Sequence, residues 1–227
     1  MERFGPTYCE TPETITGMFP VEPANAISSG VIVLFGLLAL FQVMRRSPRS
    51  IELYVLCALL ITNGVGSILW HGLRTRWSLT LDFLPAAIFV LVMAIVWARR
   101  VAPWQQVVLA FGAFLAVLIA LRFVDLGLPI PGRMAASAIA IVGLAVWLIA
   151  KSAAVSRDAA MLGGAALISA LTALTFRSAD SWACETFGTG SHFLWHVFLS
   201  AGAYLSLLTI MKLREIGPPP KPVAAQA

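Results

Sequence analysis

A bundle of seven membrane-spanning α-helices is the fold the sequence predicts, and three observations carry it. The chain of 227 residues is 59% hydrophobic and only 12% charged, whereas a soluble domain is nearer half apolar and a quarter charged. Its apolar residues fall into seven stretches of about 20 residues, the length a helix needs to cross the hydrocarbon core. Its basic residues, which give a net charge of +5, sit in short clusters between those stretches, as membrane loops place them. The positive charge is therefore no sign of nucleic-acid binding.

The elements follow in order. Residues 1–23 hold Glu2, Cys9, Glu10, Glu13 and Glu22, which a cleavable signal peptide would not carry; they form an outer segment. Span one covers 24–44 and ends at Arg45, Arg46, Pro48 and Arg49. Span two covers 51–71, and the stretch from Arg74 to Ser78 separates it from span three at 79–98. Arg99, Arg100 and Pro103 close the third. Span four covers 104–122 and span five 132–150, divided by Leu128, Pro129, Ile130 and Pro131. Span six covers 159–176 and span seven 190–211. A polar tail, 212–227, opens with the last basic cluster, Lys212 and Arg214, and runs on through Gly217, Pro218, Pro219, Pro220 and Lys221. No loop is long enough for a further module, so 1–227 reads as one domain.

Seven spans put the termini on opposite sides. Of the sixteen lysines and arginines, the ten at Arg45, Arg46, Arg49, Arg99, Arg100, Lys151, Arg157, Lys212, Arg214 and Lys221 share one side. Arg3, Arg74, Arg76, Arg122, Arg133 and Arg177 share the other. The positive-inside rule makes the richer side cytoplasmic: the N-terminus is outside and the C-terminus inside. Cys9 and Cys184 then both lie outside, where disulfides persist. A bridge between them is expected, with two unpaired thiols as the alternative. Cys57 lies within span two.

Ionisable groups inside spans are costly and are functional candidates for that reason. The chain has only three histidines, His71, His192 and His196. His71 shares a helix face with Ser67, four residues earlier, and Asn63 extends that face. His192 and His196 are also four apart, a spacing that lets two imidazoles reach one metal ion. Asp82 starts span three. By the topology the three histidines, Ser67 and Asp82 lie near the outer end of their spans. Three histidines with an open position make the ligand set of a catalytic zinc site. A carboxylate beside it can act as base, and a hydroxyl can steady an oxyanion. A lone interfacial histidine, or an isolated His-x-x-x-His pair, would carry no such meaning; the convergence does. Haem fits less well, since ligands on adjacent turns of one helix cannot occupy opposite axial positions. Trp70 and Trp195 read as aromatic-belt residues.

Ser67-x-x-x-His71, Asp82 in a Leu-Asp-x-Leu-Pro context, and His192-x-x-x-His196 resemble the alkaline ceramidase family, part of a seven-span superfamily that includes the adiponectin and progestin receptors. Cys9-Glu10 and Glu22-x-x-Asn25 resemble that family's N-terminal elements, so the likeness runs from about residue 8 to 211. It implies a zinc-dependent amide hydrolase that cleaves ceramide to a sphingoid base and a fatty acid. By the match His71, His192 and His196 hold zinc, Asp82 activates water, and Ser67 supports the oxyanion. The family's disulfide matches Cys9 and Cys184. Its structural calcium site matches at Glu10 and Glu22, with Glu13 a further hard oxygen ligand. It departs where Thr7 or Tyr8 replaces an acid and Pro12 an asparagine. These acids otherwise solvate the outer segment, and Glu22 before Pro23 suits a helix start.

Two other functions compete: a zinc hydrolase of another membrane lipid that cleaves an ester, and a receptor-like lipid-binding protein with structural zinc. The last needs a closed four-ligand site, and Cys57 is about four turns from His71, too far to join it. A transporter is disfavoured, because no paired spans are broken at mid-depth. Short loops and Ala/Leu/Arg-rich usage point to a bacterial inner membrane, with the site toward the periplasm. The partner is a membrane lipid; the sequence does not specify an oligomeric state.

Overall fold

The structure is a computed structural model that describes residues 4–15, 17–120 and 132–217, with side chains from 137 onward in the last stretch. The break expected at 128–131, the tail beyond Gly217, the charges at Arg3, Arg122 and Lys221, and the Arg133 side chain lie outside the described residues. Eight helices and no strand occur among those described: α1 (Pro23–Arg46), α2 (Ile51–Leu73), α3 (Arg76–Val101), α4 (Trp104–Ala120), α5 (Gly132–Ala153), α6 (Arg157–Ser178), α7 (Asp180–Phe187) and α8 (His192–Ile216). Of these, α1, α2, α3, α6 and α8 are long and apolar enough to cross a membrane. The described residues are thus all-helical, with the long apolar helices of an integral membrane protein. The helices at the expected fourth and fifth spans are shorter as apolar stretches, Trp104–Ala120 and Ser137–Ala153. Helix α7 stands where the sequence reading had a loop. Eight residues are too few to show a helical period, but Asp180 in the first turn and Gly188 at φ 72° beyond the last close it at both ends.

The described chain divides into two units. One joins Met1–Met93 with Ala165–Leu208, the other Ala94–Gly164 with Thr209–Ala227. In the second, α4 packs on α5, and the buried Trp97 indole donates to Ser152 Oγ at 2.8 Å. The first unit holds every histidine, and its frame is the pairing of α1 with α2.

That pairing follows from sequence spacing. The buried positions of α1 are Asn25, Ala26, Ser29, Ile32, Gly36, Ala39 and Val43, steps of three and four along one face. Helix α2 buries Leu53, Leu56, Leu60, Asn63, Ser67 and Trp70 in the same rhythm, with His71 beside the last. Large apolar residues of α1, among them Leu34, Leu37 and Phe41, point outward. Small and polar residues inside with bulky apolar residues outside is the pattern of helices packed in lipid. Pro23 at the start of α1 and Arg45 and Arg46 in its last turn suit a helix N-terminus and a negative C-terminal dipole end.

Candidate metal centre

The three histidines come together. His71 lies in the last turn of α2, while His192 opens α8 and His196 follows one turn later. All three are buried. One ring nitrogen from each lies within 4.8 Å of the other two, with ring centroids 4.8 to 5.3 Å apart. No other group of three or more His, Cys, Asp or Glu among the described residues is close enough to hold a metal.

Neighbouring groups fix which nitrogen two of the rings present. His71 Nδ1 meets the carboxylate of the fully buried Glu22. A carboxylate accepts, so Nδ1 carries the proton and Nε2 keeps its lone pair. His196 Nδ1 lies 2.8 Å from Ser28 Oγ. The single hydroxyl hydrogen of Ser28 goes to the Asn25 carbonyl at 3.1 Å, so Ser28 accepts from Nδ1–H and Nε2 is again bare. His192 Nδ1 is buried without a hydrogen-bond partner, while the Tyr8 ring stacks on the imidazole at 3.8 Å. Leaving a buried polar nitrogen unpartnered is costly. Two rings locked with Nε2 available, and a third with an orphan nitrogen, fit a bound zinc ion.

Backbone contacts explain why α8 begins here. Asp180 Oδ1 accepts the N–H groups of Ser191 and His192, both at 2.8 Å. This caps α8 from outside the helix and fixes where its first histidine points. Asp180 Oδ2 accepts from Cys9 N–H at 2.9 Å, and Cys9 is disulfide-bonded to Cys184, 175 residues away in sequence. Gly190 is needed there, since a Cβ would strike the Asp180 carboxylate. At the other side, Val21 N–H and Glu22 N–H bond the carbonyls of Gly72 and His71 at 3.1 and 2.9 Å. The outer segment is thereby laced to the end of α2.

The remaining candidates join the centre through α3. A Cβ at Gly66 would overlap the Leu81 carbonyl, so glycine lets α3 approach α2 closely. Asn63 Nδ2 donates to the Asp82 carbonyl at 2.6 Å and to Asp82 Oδ1 at 3.3 Å. The Asp82 carboxylate also accepts a hydrogen bond from Ser67 and faces the positive charge of Arg177. Ser67 Oγ lies 3.0 Å from Ser29 Oγ. Asp82 is half-buried, a position open enough for a reacting group.

Glu10 and Glu22, carried as calcium ligands, do other work. The two Glu10 oxygens accept the N–H groups of Ala24 and Asn25 at 2.9 and 2.8 Å, a cap on the positive end of α1. Glu22 Oε1 meets Thr11 and Arg74, and Oε2 meets His71 and Asn25. Each of the four carboxylate oxygens thus already meets a donor, which leaves the pair less free for a calcium ion.

Sequence reasoning missed Ser28, Tyr8, Arg177 and Asp180. Arg177 hydrogen-bonds Tyr8, whose phenol burial pushes above the ordinary tyrosine range against the pull of that guanidinium. Ser28 had a signal: with Asn25 and Ser29 it forms a polar cluster opening an apolar helix. Asp180 had none. Trp70 is a correction. It is fully buried rather than in an interfacial belt, because Arg74 lies over its ring at 4.0 Å and Phe4 meets its edge.

A family model described as Ceramidase matches residues 7–221. No curated protein matches the chain.

Proposed function

Because the chain belongs to the ceramidase family, membrane enzymes that hydrolyse the amide of ceramide, we propose that it does so as a zinc-dependent hydrolase, releasing a sphingoid base and a fatty acid. The observation that carries the zinc reading is the buried trio His71, His192 and His196, two of whose rings have their Nδ1 protons already spoken for. Zinc held there would supply Lewis acidity and activate water near neutral pH.

The chain's own residues do the rest. Asp82 takes the proton of the attacking water and returns it to the leaving amine. Ser67 bonds Asp82 and fixes the direction of its carboxylate; its hydroxyl can turn to the developing oxyanion. Glu22 and Ser28 hold the His71 and His196 rings in one tautomer. The lipid approaches sideways from the outer leaflet, and the apolar helix faces take its chains.

The reading extends to topology. A single seven-span domain covers 1–227, with the N-terminus outside, the C-terminus cytoplasmic and the centre toward the periplasmic face of a bacterial inner membrane. It is supported by the distribution of lysine and arginine and by the disulfide that holds the outer segment.

The test is direct. The purified protein is incubated with ceramides and a mixed lipid extract, and the products are read by mass spectrometry beside an Asp82→Ala control. Sphingoid base and fatty acid should appear with the parent protein only. Asp82→Ala should keep its zinc and lose turnover; retained turnover removes Asp82 from the role of base. Lysolipid as the product would make the enzyme an esterase, and no product from zinc-loaded protein would favour a lipid receptor.

A further inference from the structure

Arg74 has no part in the chemistry above, yet it is held with care. It caps α2 at φ 54°, in the left-handed region where glycine or asparagine usually stands. An L side chain is strained there. A strained conformation persists only where surrounding contacts over-determine it, and Arg74 has them. The residue is buried. Its Nη2 donates to the Pro6 carbonyl at 2.6 Å and reaches the Phe4 carbonyl at 3.3 Å. Its Nη1 lies 3.3 Å from Glu22 Oε1, and the other oxygen of that carboxylate meets His71 Nδ1. Its face lies over Trp70 at 4.0 Å and 5.8 Å from the Tyr8 ring.

Two backbone carbonyls and a carboxylate gathered around one positive charge form the kind of oxygen set a hard cation takes. Here the cation is covalently attached to the end of α2. A divalent ion on Glu22 would face the guanidinium as a like charge, and Glu10 is already committed to the N-terminus of α1.

We propose that Arg74 is the built-in cation of the outer segment: it does the work that the family resemblance assigns to calcium, pinning residues 4–6 and holding Glu22 against His71, so that the centre assembles without calcium. Arg74 is thus a positioning residue. Its effect on metal binding rests on the zinc reading of the histidines; its replacement of calcium does not.

The experiment uses the full chain in detergent. Melting temperature is measured in a calcium chelator and in calcium at about 1 mM, a level at which even weak extracellular-type sites are occupied. Zinc affinity is measured by competition with a chelating dye. Arg74→Gly removes the guanidinium while suiting the backbone, and Arg74→Lys keeps the charge.

The wild type should melt at the same temperature with and without calcium. Arg74→Gly opens the oxygen set, so calcium should raise its melting temperature. Its zinc affinity should fall about 10- to 100-fold, as losing support behind a ligand does. Arg74→Lys should stay indifferent to calcium and recover part of the zinc affinity. A wild type stabilised by calcium overturns the proposal, as does an Arg74→Gly protein indifferent to it. Wild-type zinc affinity in Arg74→Gly removes the positioning role. If Arg74→Gly is recovered only from calcium-containing buffer, that is the expected response in stronger form; if it is recovered from neither, the wild-type and Arg74→Lys melts decide. A wild type that binds no zinc defeats the catalytic reading and leaves the calcium comparison to decide the role of Arg74.

Discussion

The seam between α1 and α2 has two ends built on one spacing. At one end Ile32, Gly36, Ala39 and Val43 of α1 are buried, and so are Leu53, Leu56 and Leu60 of α2. At the other, the same steps of three and four bury Asn25 and Ser29, and Asn63, Ser67 and His71. The apolar end offers dispersion and close approach; a Cβ on Gly36 would press on Ile61. The polar end is a chain of contacts that runs from Ser29 to Ser67 and on to Asp82. A helix period tells which residues face inward but not whether the buried face packs or reacts. That depends on residue type, and in lipid a buried polar residue has no water to fall back on.

The first way to break the comparison carries the largest effect. His196→Ala at the polar end should leave two rings without the third ligand. Activity should fall by more than the roughly 100-fold that losing a supporting residue costs, and bound zinc should drop well below one per chain by elemental analysis. If the variant keeps both zinc and activity, the metal reading of the polar end is wrong. The fold should survive, because His196 adds nothing to the apolar end of the seam.

Leu56→Ala reverses the pattern. Leu56 is fully buried, and truncating such a side chain removes packing that its neighbours only partly restore. The cost should be about 2 kcal/mol, the low end of the cavity range, because lipid provides little transfer term between helices. A lower melting temperature with unchanged zinc content and unchanged turnover per folded molecule is the expected result. Lost zinc in well-folded Leu56→Ala protein would mean that the two ends are coupled, and the division drawn here would fail.

How much of this was legible in the sequence follows from the same contrast. His71, His192, His196, Ser67 and Asp82 could be picked out because each interrupts or borders an apolar run, and the topology brought them to one depth. Their supports could not. Asp180 caps α8 from twelve residues away, across a helix too short to show a period. Arg74 looked like an ordinary loop charge, and only the fold brings it against Glu22 and two carbonyls. For Glu22 the sequence offers a match to the family's calcium site or a helix start, since an acid before a span gives no hint that an imidazole from another helix will meet it. Chemistry-bearing residues announce themselves by being expensive in grease; the groups that orient them sit at helix ends, where polar residues are cheap and common.

Ser28→Ala is the smallest perturbation and the finest probe of that distinction. It deletes the oxygen that accepts the His196 Nδ1 proton while keeping every candidate metal ligand. Ser29 Oγ, 3.4 Å from the same nitrogen, can shift to take over part of the bond. The loss should therefore sit at the lower end for a supporting residue, about tenfold in zinc affinity. Protein stability should change by no more than about 1 kcal/mol, the worth of one neutral hydrogen bond. A competition titration with a chelating dye separates the two readouts. If Ser28→Ala binds zinc as tightly as the parent, the tautomer of His196 is set by groups other than Ser28, and the support assigned to Ser28 falls away.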